Sequence, residues 1–294
     1  MRRSRTLHSP CAPVTSYQSL KGLELLVNMM GGRGMTSEEA YPPKIIIRAG
    51  TIEDLRAALR HGWKDFLRAP GFGVFFGGFF AFGGIVILAM TWALGLSYLA
   101  YPTAVGFSLI GPFAAVGLYE VSRRLSAGQN LTWKGVLTVI YAQRRRELGW
   151  MAFVTMFMLI MWMYQVRILL AVFLGFQSFT SFSGFLTVIL STFDGLAFLV
   201  LGHVFGAILA LILFSTTVIS FPLLLEQEHD FITAMITSFK AVTMSPLVMI
   251  GWATFVGLTL YLSMLPAFLG LLIALPVLGH ATWHLYKRLI SFET

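Results

Sequence analysis

Residues 195–225 have the sequence GLAFLVLGHVFGAILALILFSTTVISFPLLL and contain no Asp, Glu, Lys or Arg. An α-helix rises about 1.5 Å per residue, so about 20 apolar residues cross the ~30 Å hydrocarbon core of a bilayer. This segment is longer than that, which predicts a transmembrane helix that is tilted or extends beyond the core. Runs of the same kind decide the fold class of the whole chain.

The composition excludes an ordinary soluble protein. Of the 294 residues, 57% are hydrophobic and only 12% are charged, whereas soluble domains carry about 25% charged residues. The mean hydropathy of +0.78 agrees with this. The single cysteine, Cys11, excludes a disulfide framework, a cysteine-based zinc site and a covalently attached c-type haem.

Six apolar runs predict an all-α, polytopic membrane helix bundle with about six transmembrane helices in three hairpins. Pro102 and the small residues before it separate the first two runs, and Pro266 with Gly270 separates the last two, because proline interrupts a helix. The predicted spans are residues 72–94, 100–119, 148–173, 195–225, 247–264 and 267–286.

The distribution of Lys and Arg predicts the orientation of these helices. Of the 21 such residues, eleven precede residue 71, six lie in residues 120–147, one in residues 226–246 and two after the last span. The loops on the other side have none. Cytoplasmic loops carry the excess of Lys and Arg, so we predict a multi-pass protein of a bacterial inner membrane with both termini in the cytoplasm.

Each pair of spans is preceded by a predicted amphipathic helix on the cytoplasmic side. Residues 51–68 begin with a capping box, Thr51 with Asp54, and place an apolar stripe that includes Ile52 and Trp63 beside a basic stripe. Residues 132–147 and 230–244 repeat the pattern, which is typical of helices in the headgroup plane. We expect the lipid bilayer to be the partner and expect no nucleic acid. Anionic phospholipid headgroups are expected to contact the basic side chains Arg56, Arg60, Lys64, Arg68, Arg144, Arg145 and Arg146.

The chain divides into a flexible N-terminal tail, residues 1–50, and a single membrane domain, residues 51–294. The glycine-rich codons just before Met35 would resemble a ribosome-binding site, so translation starts at Met35 or residues 1–34 form a disordered tail. Within the domain, a surface helix followed by a hairpin recurs in residues 51–131, 132–229 and 230–294. This is either an internal repeat or a consequence of short, positively charged loops.

Glycine and phenylalanine are unusually frequent in the spans. Gly73 with Gly77, and Gly202 with Gly206, form small-xxx-small pairs. Small residues allow helix backbones to approach closely in a membrane. We therefore interpret the glycines as helix-packing positions.

Five polar or ionisable side chains are predicted near the outer surface, and each is a functional candidate because polar groups are costly in a bilayer. Arg167, Tyr164 and Gln165 lie late in the third span, and Asp194 and His203 lie early in the fourth. They predict either an outward-facing polar site or a structural Arg167–Asp194 ion pair. A further alternative is that the Arg167 side chain extends to the membrane surface and keeps its charge in water.

His280 and His284 lie one helical turn apart in the last span and are candidate ligands for a metal ion or haem. His203 would differ from His280 in depth by roughly 9 Å, too far for the two to ligate one haem. Only Glu120 could join them from elsewhere. We expect structural histidines and no cofactor, with haem as the alternative.

Several strings resemble the bacterial integral-membrane family known as domain of unknown function 2189. They are RAALRHGWKDFLRAP (residues 56–70), LIGPFAAVGLYEVSRRL (109–125), RRRELGWMAFVTMFMLIMWMYQVR (144–167), VISFPLLLE (218–226) and LPVLGHATWHLYKR (275–288). The resemblance covers residues 45–290 and implies a membrane protein of unestablished function. Some members are labelled as cytochrome c oxidase subunits. The spans here hold too few histidines for the catalytic subunit, so that label implies an accessory role.

Two functions follow from these observations. No nucleophile elbow, P-loop, HExxH motif or carboxylate pair is present, so we favour a non-enzymatic accessory or scaffold protein of the inner membrane, associated with a respiratory complex, with another membrane protein or with itself. The alternative is a small-solute or lipid permease. A scaffold predicts a solid bundle with an exposed Gly/Phe seam, whereas a permease predicts discontinuous helices or an internal polar cavity.

Overall fold

The computed structural model describes residues 44–143, 147–175, 179 and 182–293. In chain order its elements are β1 (Lys44–Ile47), α1 (Ile52–Arg68), α2 (Pro70–Ala93), a 3₁₀ turn (Ser97–Leu99), α3 (Ala100–Ser108), α4 (Gly111–Ser126), α5 (Trp133–Gln143), α6 (Glu147–Leu174), α7 (Phe182–Ser191), α8 (Phe193–Thr217), α9 (Ser220–Glu226), α10 (Phe231–Met244), α11 (Pro246–Met264), α12 (Leu271–Leu289) and β2 (Ile290–Glu293). The predicted headgroup contacts Arg144, Arg145 and Arg146, and the predictions about residues 1–34, lie outside the described residues.

The all-α membrane fold is confirmed. Within the described residues, five helical segments are long and apolar enough to cross a bilayer, namely Pro70–Ala93, Ser97–Ser126, Glu147–Leu174, Phe193–Glu226 and Pro246–Met264. They coincide with the first five predicted spans.

The sixth predicted span, residues 267–286, corresponds to α12, which is not among these five. Its C-terminal half carries His280, His284, Lys287 and Arg288, and these lower its hydropathy. The helix is nevertheless deeply buried, and its Tyr286 is fully enclosed. The count of six spans therefore stays a prediction.

Helix α12 lies at the centre of the fold and packs against α1, α2 and α4. A Cβ on Gly62 of α1 would lie 2.6 Å from the backbone nitrogen of Ala281, and one on Gly77 of α2 would lie 2.7 Å from the carbonyl oxygen of Leu271. Only glycine permits backbones to approach this closely. The Gly73/Gly77 pair thus packs inside the bundle, against the central helix.

Helix α1 begins as predicted, and it buries part of the predicted apolar stripe, Leu55, Leu59 and Phe66, together with small and acidic residues. The Thr51 side chain accepts from the Asp54 backbone N–H, and the Asp54 carboxylate accepts from the Thr51 N–H, which completes the capping box. Ile52 and Trp63 of the predicted apolar stripe are exposed. The buried face consists of small and acidic residues with one phenylalanine: Asp54, Ala57, Ala58, Gly62, Asp65 and Phe66. Small residues are buried because α1 lies directly on the backbone of α12.

The other two predicted surface helices are α5 and α10. The Asp230 side chain accepts from the Thr233 N–H at 2.8 Å and caps α10, as its position in the sequence indicated. Ser245 caps the end of α10, and Pro246 starts α11. Helices therefore lie where the sequence predicted surface helices, and the arrangement of the spans in hairpins stays a prediction.

A short antiparallel ribbon joins the two ends of the described chain. In it β1 pairs with β2, with Lys44 opposite Glu293 and Ile47 opposite Ile290. Residues 44–47 were assigned to the flexible tail, so the domain begins earlier than the predicted boundary at residue 51. Each strand is only four residues long, and its pairing partner lies more than 240 positions away in the chain. The local sequence therefore gives no signal of a strand.

Two of the long apolar segments are interrupted. Helix α3 ends at Ser108 before α4 begins at Gly111, and α8 ends at Thr217 before α9 begins at Ser220. Pro112 and Pro222 follow the two interruptions and supply no N–H to the preceding turn. The predicted outer loop, residues 174–194, also contains helix α7, which the sequence pattern did not predict.

Candidate functional site

A cavity of about 420 Å³ lies between α4, α8, α11 and α12. Both helix interruptions border it, through Leu109 and Gly111 on one side and Thr217 and Val218 on the other. Trp252 lines the same cavity and is almost fully buried, and within the described residues its indole N–H has no hydrogen-bond partner. The two helix irregularities thus lie beside a cleft that is partly open to the outside of the bundle, since Ala207, Leu211 and Gly257 of its lining are exposed.

A second cavity, of about 320 Å³, adjoins the first and has α3, α6 and α8 as further walls. The two cavities share Ser108, Leu109, Ala207, Ala210 and Gly257 in their linings. As far as the described residues form these walls, neither contains Asp, Glu, Lys or Arg. Together they form a long, mostly apolar space at the level of the predicted spans.

The indole of Trp162 separates two helices beside the smaller cavity. A Cβ on Gly106 of α3 would lie 2.8 Å from this ring, and one on Gly206 of α8 would lie 2.5 Å from it. The indole N–H donates to the carbonyl oxygen of Pro102 at 2.8 Å. Gly206 therefore accommodates an aromatic ring, where the sequence had suggested direct contact of two helix backbones, and a Cβ on Gly202 would meet only Leu169, at 3.8 Å.

Three polar side chains converge on the smaller cavity: Tyr101, Gln165 and His203. The Tyr101 Oη lies 2.8 Å from His203 Nε2, and His203 Nδ1 lies 2.7 Å from the carbonyl oxygen of Leu199. Gln165 Nε2 donates to the carbonyl oxygen of Gly202 at 3.3 Å. Each side chain is thus oriented by a backbone or side-chain partner, and together they form the polar end of an otherwise apolar space.

The five predicted outer residues do not form one site. Gln165 and His203 line the cavity, whereas Tyr164, Arg167 and Asp194 are exposed on the outside of the bundle. Among the described residues no ion pair joins Arg167 to Asp194, so the predicted structural pair is not formed. Tyr101, which completes the polar cluster, was not predicted because nothing in its local sequence indicates a partner in the fourth span.

His280 and His284 belong to a second polar cluster, between α1, α4 and α12. Ser122 Oγ donates to Asp65 Oδ2 at 2.8 Å and lies 2.8 Å from His280 Nδ1. His284 Nε2 donates to the same carboxylate oxygen at 2.7 Å. The acidic companion of the two histidines is therefore Asp65, from a surface helix, and the sequence analysis had considered only Glu120.

Hydrogen bonding controls the ionisation of Asp65. Burial alone would raise the pKa of this carboxyl group, but hydrogen bonds from His284 and Ser122 outweigh burial, and the pKa lies below its usual value. Among the described residues, no three His, Cys, Asp or Glu side chains are placed to hold a metal ion. A metal or haem at His280 and His284 stays an untested prediction.

Glu120 and the basic stripe of α1 have different environments. Glu120 is fully buried and accepts from the side chains of Arg123 and Arg124 at 2.6–2.9 Å. Glu120 therefore forms a buried salt bridge with the two arginines of its own helix. By contrast, the stripe is exposed on the side of α1 that faces away from α12, and it consists of Arg56, Arg60, Lys64 and Arg68.

Comparison with known proteins gives one family. Residues 100–226 match the model of the family described as "Predicted integral membrane protein (DUF2189)", which confirms the resemblance for this region; the strings at residues 56–70 and 275–288 lie outside the match. The matched region runs from α3 to α9 and includes most of the residues that line the two cavities. No curated protein and no solved structure matches the chain.

Proposed function

We propose that this protein is a permease for a lipid-like amphiphile, which enters the paired cavities from within the membrane. One observation carries the proposal. Two membrane segments each have a two-residue irregularity, residues 109–110 and 218–219, where the backbone stays in the right-handed helical region, and Leu109 and Val218 of these irregularities line an apolar cavity of about 420 Å³. Discontinuous helices around a central binding space are typical of membrane transporters.

The glycines support a permease over a scaffold. A scaffold predicts an exposed Gly/Phe seam; on α2 the phenylalanines Phe79 and Phe82 are exposed, but Gly73 and Gly77 are buried, and added Cβ atoms there would meet Phe66, Pro276 and the backbone of α12. The close-packing surface of α2 is therefore used within the molecule. An accessory role in a respiratory complex rests only on a family label, and the proposal does not include it.

The chemistry of the cavity walls supports a lipid-like ligand over a small polar solute. The linings are apolar apart from a few hydroxyl, amide, imidazole and indole groups. An ion or sugar would lose its hydration without compensation in such a space, whereas an acyl or isoprenoid chain would be buried favourably.

The proposal also includes the orientation and the lipid contacts predicted from the sequence. Trp63 and Leu67 on α1 are exposed next to the basic stripe, and Trp133 of α5 and Phe239 of α10 are exposed as well. Aromatic and basic residues on one outward surface fit a helix at the headgroup level. We propose that these helices lie on the cytoplasmic leaflet of the inner membrane and contact anionic lipids.

Two substitutions on α11 test the cavity. Gly257 lines both cavities and Gly251 lines neither, and a Cβ at either position would meet no atom within 4 Å. Gly257→Leu should fill the shared space without a clash, and Gly251→Leu is the matched control on the same helix.

The measurements are identification of co-purified lipid by mass spectrometry and translocation of fluorescent lipids in proteoliposomes. We expect Gly257→Leu to reduce both by at least about tenfold, since the side chain occupies the ligand's volume, and Gly251→Leu to retain both. A wild-type protein that carries no lipid and moves none would refute the proposal, as would equal behaviour of the two variants.

A further inference from the structure

The two cavities open to the same side of the bundle. Among the described residues that line them, those from α4, α6, α7 and α12 are buried or half-buried. The exposed lining residues belong to α3, α8 and α11, and they are Tyr101, His203, Ala207, Ala210, Leu211, Ile250, Thr254, Gly257 and Tyr261. The cavities therefore form one groove that opens between α8 and α11, and we call it the lateral groove.

The open side of the lateral groove faces lipid. Exposed apolar side chains flank it, including Ile208 on α8 and Leu258 on α11, and both helices belong to segments long and apolar enough to cross a bilayer. At one end, Phe185 and Ile189 of α7 are buried together with Phe198 and line the smaller cavity. Helix α7 thus covers this end, and a molecule reaches the groove from the side, through the bilayer.

The lateral groove is long enough for a whole acyl chain. Its wall on α8 extends from His203 to Thr217, fourteen residues later in the same helix, which corresponds to about 21 Å at about 1.5 Å per residue. On α11 the wall extends from Tyr261 back to Ile250. One leaflet supplies about 15 Å, half of the ~30 Å hydrocarbon core. A lipid chain that enters at one end of the groove would therefore lie within it over its full length.

One end of the lateral groove is polar and aromatic. Tyr101 Oη lies 2.8 Å from His203 Nε2, and the rings of Tyr101 and Tyr261 meet edge to face with their centroids 6.3 Å apart. All three side chains are exposed, and the Lys and Arg distribution predicts that this end lies near the outer surface. Tyrosine is enriched at the headgroup level of membranes, because its ring contacts lipid chains and its hydroxyl contacts water.

The chemistry of the walls determines where a headgroup can lie. Within the described residues, the walls of the groove lack Asp, Glu, Lys and Arg, and transfer of a charged phosphate into such surroundings is strongly unfavourable. A lipid headgroup would therefore stay outside the groove, next to the three exposed polar side chains. The chain would be buried favourably inside it.

We infer that the ligand of the proposed permease is an outer-leaflet lipid that inserts one acyl chain into the lateral groove and keeps its headgroup outside, at Tyr101, His203 and Tyr261. The chain runs along α8 and α11 past Ala207 and Gly257, in the direction that it has in the bilayer. The site selects an extended apolar chain and accepts different headgroups. This assignment rests on the proposed function and on the predicted orientation, since it concerns the same cavities.

Quenching of tryptophan fluorescence by brominated phosphatidylcholines in proteoliposomes tests this mode of binding. Trp162 lines the groove near its polar end, beside Gly206, which follows His203 by three residues. Trp252 lines it farther away, nine residues before Tyr261 on α11. Subtraction of the signals of Trp162→Phe and Trp252→Phe variants isolates the two contributions. We expect bromines near the headgroup to quench mainly Trp162, and bromines near the end of the chain to quench mainly Trp252.

Two substitutions on α8 separate a chain in the groove from the surrounding bilayer. Ala207 and Val204 are both exposed, and Ala207 lines the groove whereas Val204 is not among the described residues that line it. Ala207→Phe should occupy the groove and remove most of the quenching of both tryptophans, and Val204→Phe should retain it. Gly257→Leu blocks the groove from α11 and should act like Ala207→Phe. Brominated phosphatidylglycerol should bind within about fivefold of phosphatidylcholine, since an exposed headgroup gains or loses about one hydrogen bond.

Two results would overturn the inference while the proposed function stands. One is stronger quenching of Trp252 than of Trp162 by bromines near the headgroup, which would show that the chain enters from the opposite end. The other is a larger difference between the two headgroups than about fivefold, which would show that the headgroup is recognised. If the groove-blocking variants are quenched like the wild type by every probe, no chain occupies the groove and the proposed function fails as well.

Discussion

His284 Nε2 lies 2.7 Å from Asp65 Oδ2, so one hydrogen bond joins the last helix to a surface helix 219 positions earlier in the chain. The same carboxylate also accepts from Ser122 of α4. Three helices thus meet at one acidic side chain, which is 5% exposed. A substitution there should affect the whole helix arrangement.

Asp65→Ala should destabilise the protein by roughly 3 kcal/mol, because it leaves the buried Ser122 and the partly buried His284 without their charged acceptor. The measurement is the melting temperature of purified protein in mild detergent. Asp230→Asn is the control, because Asn caps a helix as well as Asp does and Asp230 is exposed. Similar melting temperatures for both variants would show that the cluster contributes little to stability.

Gly62→Ala should lower the melting temperature, since the new Cβ would lie 2.6 Å from the backbone of Ala281 and force α1 away from α12. Overpacking of this kind costs about 1–3 kcal/mol. Gly251→Ala has open space around its Cβ and should preserve or raise the melting temperature, because alanine favours a helix. Limited proteolysis of α1 provides a second measurement, and faster cleavage is expected only in Gly62→Ala.

Acid should destabilise the fold partly through Asp54. Burial alone would raise the pKa of Asp54, but hydrogen bonds from Arg48 and Thr51 outweigh it and lower the pKa from 3.8 to about 2. The folded-state pKa is depressed, so the stabilisation is fully present above pH 3.8 and is lost as the pH falls towards 2. Asp54→Asn should reduce the melting temperature at pH 7 and flatten its dependence on pH in this window. An unchanged acid dependence in the variant would contradict the assignment.

Single cysteines should report the predicted orientation. In a Cys11→Ser background, Arg56→Cys should be protected from a membrane-impermeant thiol reagent in intact spheroplasts and react after lysis. Ala267→Cys, in the turn between α11 and α12, should react before lysis. Both positions are exposed in the structure. The opposite labelling pattern would reverse the topology inferred from the Lys and Arg distribution.

Local sequence determined the membrane class, five of the helical spans, the capping box of α1 and the turn at Pro266 and Gly270. These features follow from apolar run length, from residues three apart along the chain and from the backbone restriction of proline. Each depends on neighbours within a few turns of helix, which a single sequence displays directly.

Only the tertiary structure decided which polar residues meet. Asp65 joins His284 and Ser122, and Tyr101 joins His203, because helices distant in the chain pack against one another. The buried face of α1 also depended on the close approach of α12 at Gly62, which adds small and acidic residues to the part of the apolar stripe that is buried. The cavities arise where two irregular segments fail to fill the space between their neighbours. Hydropathy records how apolar a helix is, but packing geometry determines which of its faces lies against protein, lipid or open space.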